Sequence, residues 1–294
     1  MRKLYYIVVY LLLTSSSMYA QNIDTLKSEI VKIISTKKAT VGVSIIGSDA
    51  KDTLNINGYR HFPMISVFKF HIALTVLNKV DKGELSLGQK VFIKKSDLLE
   101  NTWSPFKKKY SNRDTSIKLR EALQWMVSHS DNNICDILIR LIGGVQTVDN
   151  FIQNKNFVIK NDEEGMHLNW DAQYLNTTTP NYTTQLLKKL YDKKMLTKKS
   201  TKFLYETMLA TSVGQNRLKA KLPESTKVAH RTGSSFTNDI GLTGAINDIG
   251  IVKMPNGKCY FISVFVYNTS ERFEVGEAII ADISKVTWDY FTRN

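Results

Sequence analysis

Residues 66–80 run Ser-Val-Phe-Lys-Phe-His-Ile-Ala-Leu-Thr-Val-Leu-Asn-Lys-Val. Apolar side chains fall on most of the helical circumference from Phe68 to Val80, which predicts a buried helix stopped near Gly83. A buried helix needs neighbours on every side, and the flanking sequence supplies them. Toward the N-terminus, Ile23 to Ile34 has helical spacing, Ala39 to Ile46 alternates and is β-rich, and Thr53 to Ile56 suits a hairpin partner. Beyond the central helix, Leu119 to Met126, Asn132 to Leu141, Tyr182 to Leu190 and Lys198 to Ala210 have helical patterns. Strand patterns return at Lys227 to Arg231, Asp239 to Asn247 and Tyr260 to Tyr267, and a last helix covers Phe273 to Tyr290.

Strands at both ends with helices between them predict an α+β fold. One antiparallel sheet, built from both chain ends, carries packed helices, and the middle of the chain forms an all-helical lobe. The expected boundaries are an α/β lobe of residues 21–60 and 212–294 and a helical lobe of residues 61–211, acting as a single unit. A cleft between such lobes suits a small ligand.

Composition narrows the class. The chain has 294 residues, 43% hydrophobic and 23% charged, an ordinary globular balance without repeats or low-complexity tracts. Residues 1–20 differ: Arg2 and Lys3 precede an apolar run, Leu4 to Leu13, and a small, polar stretch ends at Ala20. That is the pattern of a secretory signal peptide, so export to the periplasm is expected; the apolar run is too short to span a bilayer. The net charge of +13 comes from lysines scattered in short pairs, such as Lys37-Lys38 and Lys188-Lys189, with no nucleic-acid-binding motif beside them. A solvated basic surface that attracts small anions is the reading taken, and a monomer is expected. Cys135 and Cys259 fall in a helical and a strand pattern, which favours two buried free thiols over a disulfide.

Three short motifs carry chemistry. Ser66-Val67-Phe68-Lys69 is a Ser-x-x-Lys, a weak pattern that also occurs at Ser35, Ser48 and Ser104, but only Ser66 opens a long apolar helix. Residues three apart share a helix face, so Lys69 lies beside Ser66, close enough to accept its proton. Taken alone this is equally a helix cap with a lysine reaching solvent. Ser130-Asp131-Asn132 precedes the next helix and reads either as a capping turn or as a hydroxyl and an amide presented to the cleft. Arg231-Thr232-Gly233, before Ser234, ends a strand with a cation, a hydroxyl and a residue allowing close approach, a set that suits a carboxylate.

The order and spacing of these motifs resemble the class A serine β-lactamases, whose signature is Ser-x-x-Lys, Ser-Asp-Asn and Lys-Thr-Gly. The resemblance covers essentially all of the chain after residue 20. It implies hydrolysis of β-lactams, conferring antibiotic resistance, through an acyl-enzyme on Ser66, without metal or cofactor. Ser130 would pass a proton to the lactam nitrogen, Asn132 would hold the substrate amide, and Arg231, Thr232 and Ser234 would serve its carboxylate and oxyanion. Asn161 to Pro180 resembles the family's Ω-loop, whose glutamate activates the deacylating water. Glu163 is the match, with Glu164 the rival one residue on. Lys69 and Glu163 both remain candidates for the acylation base.

Departures from the commonest pattern point to the PER-like and CfxA-like branch. His167 stands where Asn is usual, Asn-Thr-Trp-Ser-Pro at 101–105 places Trp103 at the cleft mouth, Arg231 replaces Lys, and Arg217 resembles an alternative carboxylate-binding arginine. A penicillin-binding DD-peptidase would share the three motifs without the role of Glu163, and a non-catalytic exported binding protein would share the cleft alone. His61, His71, His129 and His230 form no zinc-ligand spacing and read as structural.

Overall fold

The computed structural model describes residues 22–110 and 113–293; the signal-peptide reading of residues 1–20 lies outside them. The described residues start with helix α1 (Ile23–Ser35), capped by the Asn22 side chain, and strands β1 (Thr40–Gly47) and β2 (Thr53–Ile56). Strand β3 (Phe62–Pro63) leads through a tight 3-10 turn into α2 (Phe68–Asp81), whose residues from Phe68 to Leu77 are all buried. The hairpin strands β4 (Lys90–Ile93) and β5 (Thr115–Lys118) flank α3 (Pro105–Tyr110). Helices α4 (Leu119–Ser128), α5 (Asn132–Ile142) and α6 (Val145–Ile152) follow, then β6 (Phe157–Val158), the single turn α7 (Glu163–Met166) and β7 (Thr177–Thr178). Helices α8 (Pro180–Tyr191) and α9 (Lys198–Leu209) lead to β8 (Val228–Ser234), β9 (Thr243–Lys253), β10 (Cys259–Thr269) and the closing helix α10 (Phe273–Arg293).

The main sheet has the order β2-β1-β10-β9-β8 and is antiparallel throughout, so both chain ends build it as expected. Its central strand β10 separates two cores by alternation. Tyr260, Ile262, Val264 and Val266 face Leu26 and Ile30 of α1 and Ile279, Ile280 and Ile283 of α10. Cys259, Phe261 and Phe265 face the other way, into the larger core around α2. Each fully buried Leu, Ile or Phe there contributes roughly 1.5–3 kcal/mol by leaving water, so α2 is held by packing rather than by its own helix propensity. Cys135 and Cys259 are both free and buried.

The largest departures from the sequence reading concern strand β9. The strand expected at Asp239 begins at Thr243, because Asn238 folds the chain into a turn: its Oδ1 accepts from Ile240 N (3.2 Å) and Leu242 N (2.9 Å). That strand also runs on past Asn247 to Lys253, since β8 and β10 pair it on both sides and override the breaking tendency of Asp248 and Gly250. Within the stretch 161–180, Asp162 caps the single turn α7 by accepting from Gly165 N at 2.8 Å.

Candidate active site

Ser66 lies in the 3-10 turn Ile65–Val67, one step before α2 rather than inside it. Ile65 has φ +45°, a left-handed conformation costly for a β-branched residue, and it sets the sharp entry that brings Ser66 to the head of the buried helix. Two neighbours hold this turn. Asn247 Nδ2 donates to Pro63 O (2.8 Å) and Met64 O (3.1 Å). Gly233 lies flat against it: a Cβ there would stand 2.4 Å from Met64 O and 3.1 Å from Ser66 N. The triplet's glycine is thus required by close approach of β8 to the backbone of Ser66.

Lys69, the second residue of α2, is fully buried. Burying an ammonium is costly unless it is paired and hydrogen-bonded, and Lys69 is both. Its Nζ donates to Ser66 Oγ (2.9 Å), Asn132 Oδ1 (2.6 Å) and Ser130 O (3.1 Å), lies 3.4 Å from Ser130 Oγ, and ion-pairs with Glu163. All three sequence motifs and the Ω-loop glutamate therefore meet in one cleft of about 750 Å³. Glu163 is buried (3% exposed) whereas Glu164 points out of the contact.

Each of these partners is held from behind. Ser130 has φ +61°, and Asp131 caps α5 by accepting from Ile134 N at 2.9 Å. The Asp131 carboxylate also accepts from Phe106 N (2.7 Å) and Ser104 Oγ (2.9 Å), while burial pushes its pKa up. Asn132 donates to Thr102 Oγ1 at 2.8 Å and, through its backbone, to Trp103 O at 2.9 Å, so the loop carrying Trp103 is stitched to the Ser-Asp-Asn turn. The Trp103 ring stands half exposed (50%) at the mouth, with its Nε1 donating to His129 O at 3.0 Å.

The α7 loop is clasped without charge. Asn176 Oδ1 accepts from Lys160 N (2.7 Å) and Asn161 N (3.0 Å), and its Nδ2 donates to Asn161 O at 2.7 Å. Beneath the loop, Asp136 accepts from Glu163 N at 2.7 Å and Glu164 N at 2.9 Å. Burial, then the charge of Glu163, raises the Asp136 pKa to about 7. His167 Nδ1 lies 2.6 Å from Glu163 O; a carbonyl only accepts, so Nδ1 donates, and the side chain lines the cleft.

On the opposite wall, Arg231 is fully buried and donates through Nη2 to Ser130 Oγ at 2.7 Å, while Thr232 and Ser234 line the cleft itself. Desolvation pulls the Arg231 pKa down to about 10, so it stays charged at neutral pH. Arg217 joins this wall: Nη2 donates to Ser234 Oγ (2.5 Å), Nη1 to Gly233 O (3.2 Å) and Asn247 O (2.9 Å), and Nε to Glu277 (3.1 Å).

The remaining histidines stand apart from the cleft chemistry: His230 pairs with buried Asp248 at 3.0 Å and His71 stacks on Phe157 with centroids 4.4 Å apart. Sequence reading did not find Asp136, Asn247 or Glu277. Asp136 sits four residues after Asn132 on one helix face, a spacing that could have flagged it; Asn247 and Glu277 reach the site only through sheet pairing and α10.

A model of the β-lactamase enzyme family matches residues 25–291. The chain belongs to that family. As a class A β-lactamase it is 46% identical to β-lactamase VEB-1 of Pseudomonas aeruginosa, over 91% of each chain. It is 41% identical to a β-lactamase of Bacteroides uniformis, over 98% of this chain and 99% of that one. Among solved structures, TLA-1 extended-spectrum β-lactamase superposes with a TM-score of 0.89 at 50% identity, covering 92% of this chain and 99% of that one. Extended-spectrum β-lactamase PER-1 of Pseudomonas aeruginosa, 40% identical over 90% of this chain and 87% of its own length, places the β-lactamase in the PER-like branch that the His167 and Trp103 contexts suggested.

Proposed function

We propose that this β-lactamase opens β-lactams through an ester on Ser66 and releases it with water activated by Glu163. Ser66 Oγ attacks the lactam carbonyl as its proton passes either to Lys69, once Lys69 has released a proton to its ion-pair partner Glu163, or to Glu163 through a water. Backbone N–H groups of Ser66 and Ser234 take the oxyanion, which Gly233 makes possible by its close approach. The C–N bond breaks as Ser130 gives its proton to the lactam nitrogen, and Lys69 is within 3.4 Å to replace it. Glu163 returns its proton to Lys69 across their contact and then takes one from water, whose oxygen attacks the ester; that proton passes to Ser66 Oγ as it leaves.

The observation that carries this reading is Lys69 Nζ held 2.9 Å from Ser66 Oγ while in contact with Glu163. Asn132 would bind the substrate amide; Thr232, Ser234, Arg217 and, through Ser130, Arg231 would serve its carboxylate; Trp103 and His167 would border its side chains. The cleft of about 750 Å³, bordered by Trp170 and Phe236, would admit penicillins and cephalosporins. The two lobes, 21–60 with 212–294 and 61–211, would act as one catalytic unit. Residues 1–20 would direct export to the periplasm; among the described residues no helix is long and apolar enough to cross a membrane.

Intact-mass analysis during turnover of a chromogenic cephalosporin tests the reading. Glu163→Ala should accumulate the covalent adduct, Glu164→Ala should turn over, and Ser66→Ala should form no adduct. Adduct in both glutamate variants, or in neither, overturns the assignment of Glu163.

A further inference from the structure

Strand β9 carries a glycine, Gly244, where a strand gains nothing from one: Gly weakens strand pairing unless another group must approach the backbone closely. The group that approaches is Tyr174. A Cβ built on Gly244 would fall 1.8 Å from the Tyr174 hydroxyl oxygen and 2.3 Å from its Cζ, so the end of the phenol ring occupies the space a side chain would fill. Tyr174 ends the 3-10 turn Ala172–Tyr174, inside the loop that bears Glu163. Gly244 precedes Ala245, whose N–H donates to Ser235 Oγ (2.8 Å) and whose carbonyl accepts from Ser235 N (2.9 Å), one residue beyond Ser234.

We propose that Tyr174 is a positioning residue for the deacylation step, a peg that seats the Glu163 loop on strand β9 through the socket at Gly244. The inference rests on the assignment of Glu163 as the water-activating base. A continuous chain of contacts connects peg to base. Ala172 O accepts from Asn161 Nδ2 at 2.9 Å, Asn161 is clasped by Asn176, and Glu163 follows two residues later. On the far side, Asp136 on α5 holds the Glu163 and Glu164 amides. With the peg seated, the loop is held from the sheet as well as from α5; without it, Asp136 and the Asn176 clasp hold only the N-terminal half of the loop, and the segment around Ala172 loses its seat on β9. The ring also stacks edge-on with Trp170, centroids 5.5 Å apart, and so holds a side chain that lines the cleft. Burial keeps the phenol neutral by pushing its pKa up to about 12. It is the ring, filling the socket, that does the positioning.

Rapid-quench and intact-mass kinetics on a chromogenic cephalosporin separate acylation from deacylation. Tyr174→Ala should acylate within about twofold of the wild-type rate and deacylate about tenfold or more slowly, since an ångström of misplacement can cost two orders of magnitude. The adduct then accumulates behind a burst. Tyr174→Phe, which keeps the ring, should restore deacylation, and Gly244→Val, which fills the socket and expels the ring, should reproduce the Tyr174→Ala defect. Equal slowing of both steps in Tyr174→Ala, or wild-type deacylation in it, overturns the peg. Glu163→Ala, run in parallel, distinguishes the two levels. If it traps adduct while Tyr174→Ala does not, the peg alone fails; if it turns over normally, the assignment of the base fails as well.

Discussion

The Asp136 carboxylate accepts the backbone N–H of Glu163 at 2.7 Å, so a buried acid on α5 presents a second acid to the nucleophile. Burial, and then the charge of Glu163, disfavours ionisation of Asp136 and raises its pKa to about 7. The raised value has a definite consequence for stability. The folded protein holds a proton on Asp136 that the unfolded chain has already released above pH ~4, so this group's contribution is complete at low pH and is lost as pH rises toward 7. Thermal melts of wild type and Asp136→Asn across pH 4 to 7 should therefore converge or cross in the variant's favour as pH increases. A gap that widens against the variant with rising pH would mean the carboxylate is ionised throughout.

Gly233 is the tightest joint between β8 and the nucleophile turn. Gly233→Ala puts a methyl 2.4 Å from Met64 O, a backbone atom that can move only by shifting Ser66. Overpacking of this kind costs about 1–3 kcal/mol, but the larger effect should be on chemistry. Burst experiments should show acylation slowed far more than the drop in melting temperature suggests. Normal acylation in this variant would show that the oxyanion site does not depend on that contact.

Much of this site was legible before any coordinates. Ser66, Lys69, Ser130, Asn132, Thr232 and Ser234 sit in short motifs whose helix and strand contexts follow from periodicity, and both chain ends showed strand alternation. The Ω-loop was harder. Its order comes from backbone amides meeting Asp136 and Asn176, contacts between residues with no common pattern, so only the buried Glu163 left a signal. Ile65 with positive φ, Asn247 bridging to Pro63 and the seat of Tyr174 on Gly244 are products of strand register and turn geometry, which a sequence fixes only through the whole fold. The strand start at Thr243 was missed for a related reason: Asn238 satisfies the local N–H groups itself, and that choice is invisible to hydrophobic alternation.

Arg217 and Glu277 form a buried pair, and removing Glu277 leaves the Arg217 charge with only neutral acceptors. Glu277→Ala should destabilise the fold by about 3–5 kcal/mol, the range for breaking a buried ion pair, and free Arg217 from the geometry that aims it at Ser234. Glu277→Gln retains an acceptor for Nε and should recover part of the stability. If Arg217 serves the substrate carboxylate, Arg217→Ala should raise KM for penicillins about tenfold or more while leaving deacylation of preformed adduct within twofold, because a charged hydrogen bond to a ligand is worth roughly 1.5–3 kcal/mol. Steady-state and single-turnover kinetics on the same preparation check both statements, and an unchanged KM would remove Arg217 from the carboxylate site.

His71 runs against Asp136 in the pH dependence of stability. It is fully buried in the first turn of α2, and desolvation lowers its pKa from 6.5 to about 3, outweighing the opposing influence of the nearby Val67 and Phe68 backbone. Below pH 6.5 the unfolded chain gains a proton on this ring that the folded protein refuses, so stability is present above that value and is lost as pH falls toward 3. Replacing the ring with a side chain that does not titrate, His71→Gln, should lower stability at pH 8 through lost stacking on Phe157, yet flatten the acid limb. The stability difference between wild type and His71→Gln, measured by urea unfolding, should shrink steadily from pH 7 to pH 4. A difference independent of pH would show that His71 accepts its proton in the folded state, which would place a charge directly behind Ser66 and Lys69 and change the electrostatics of acylation itself.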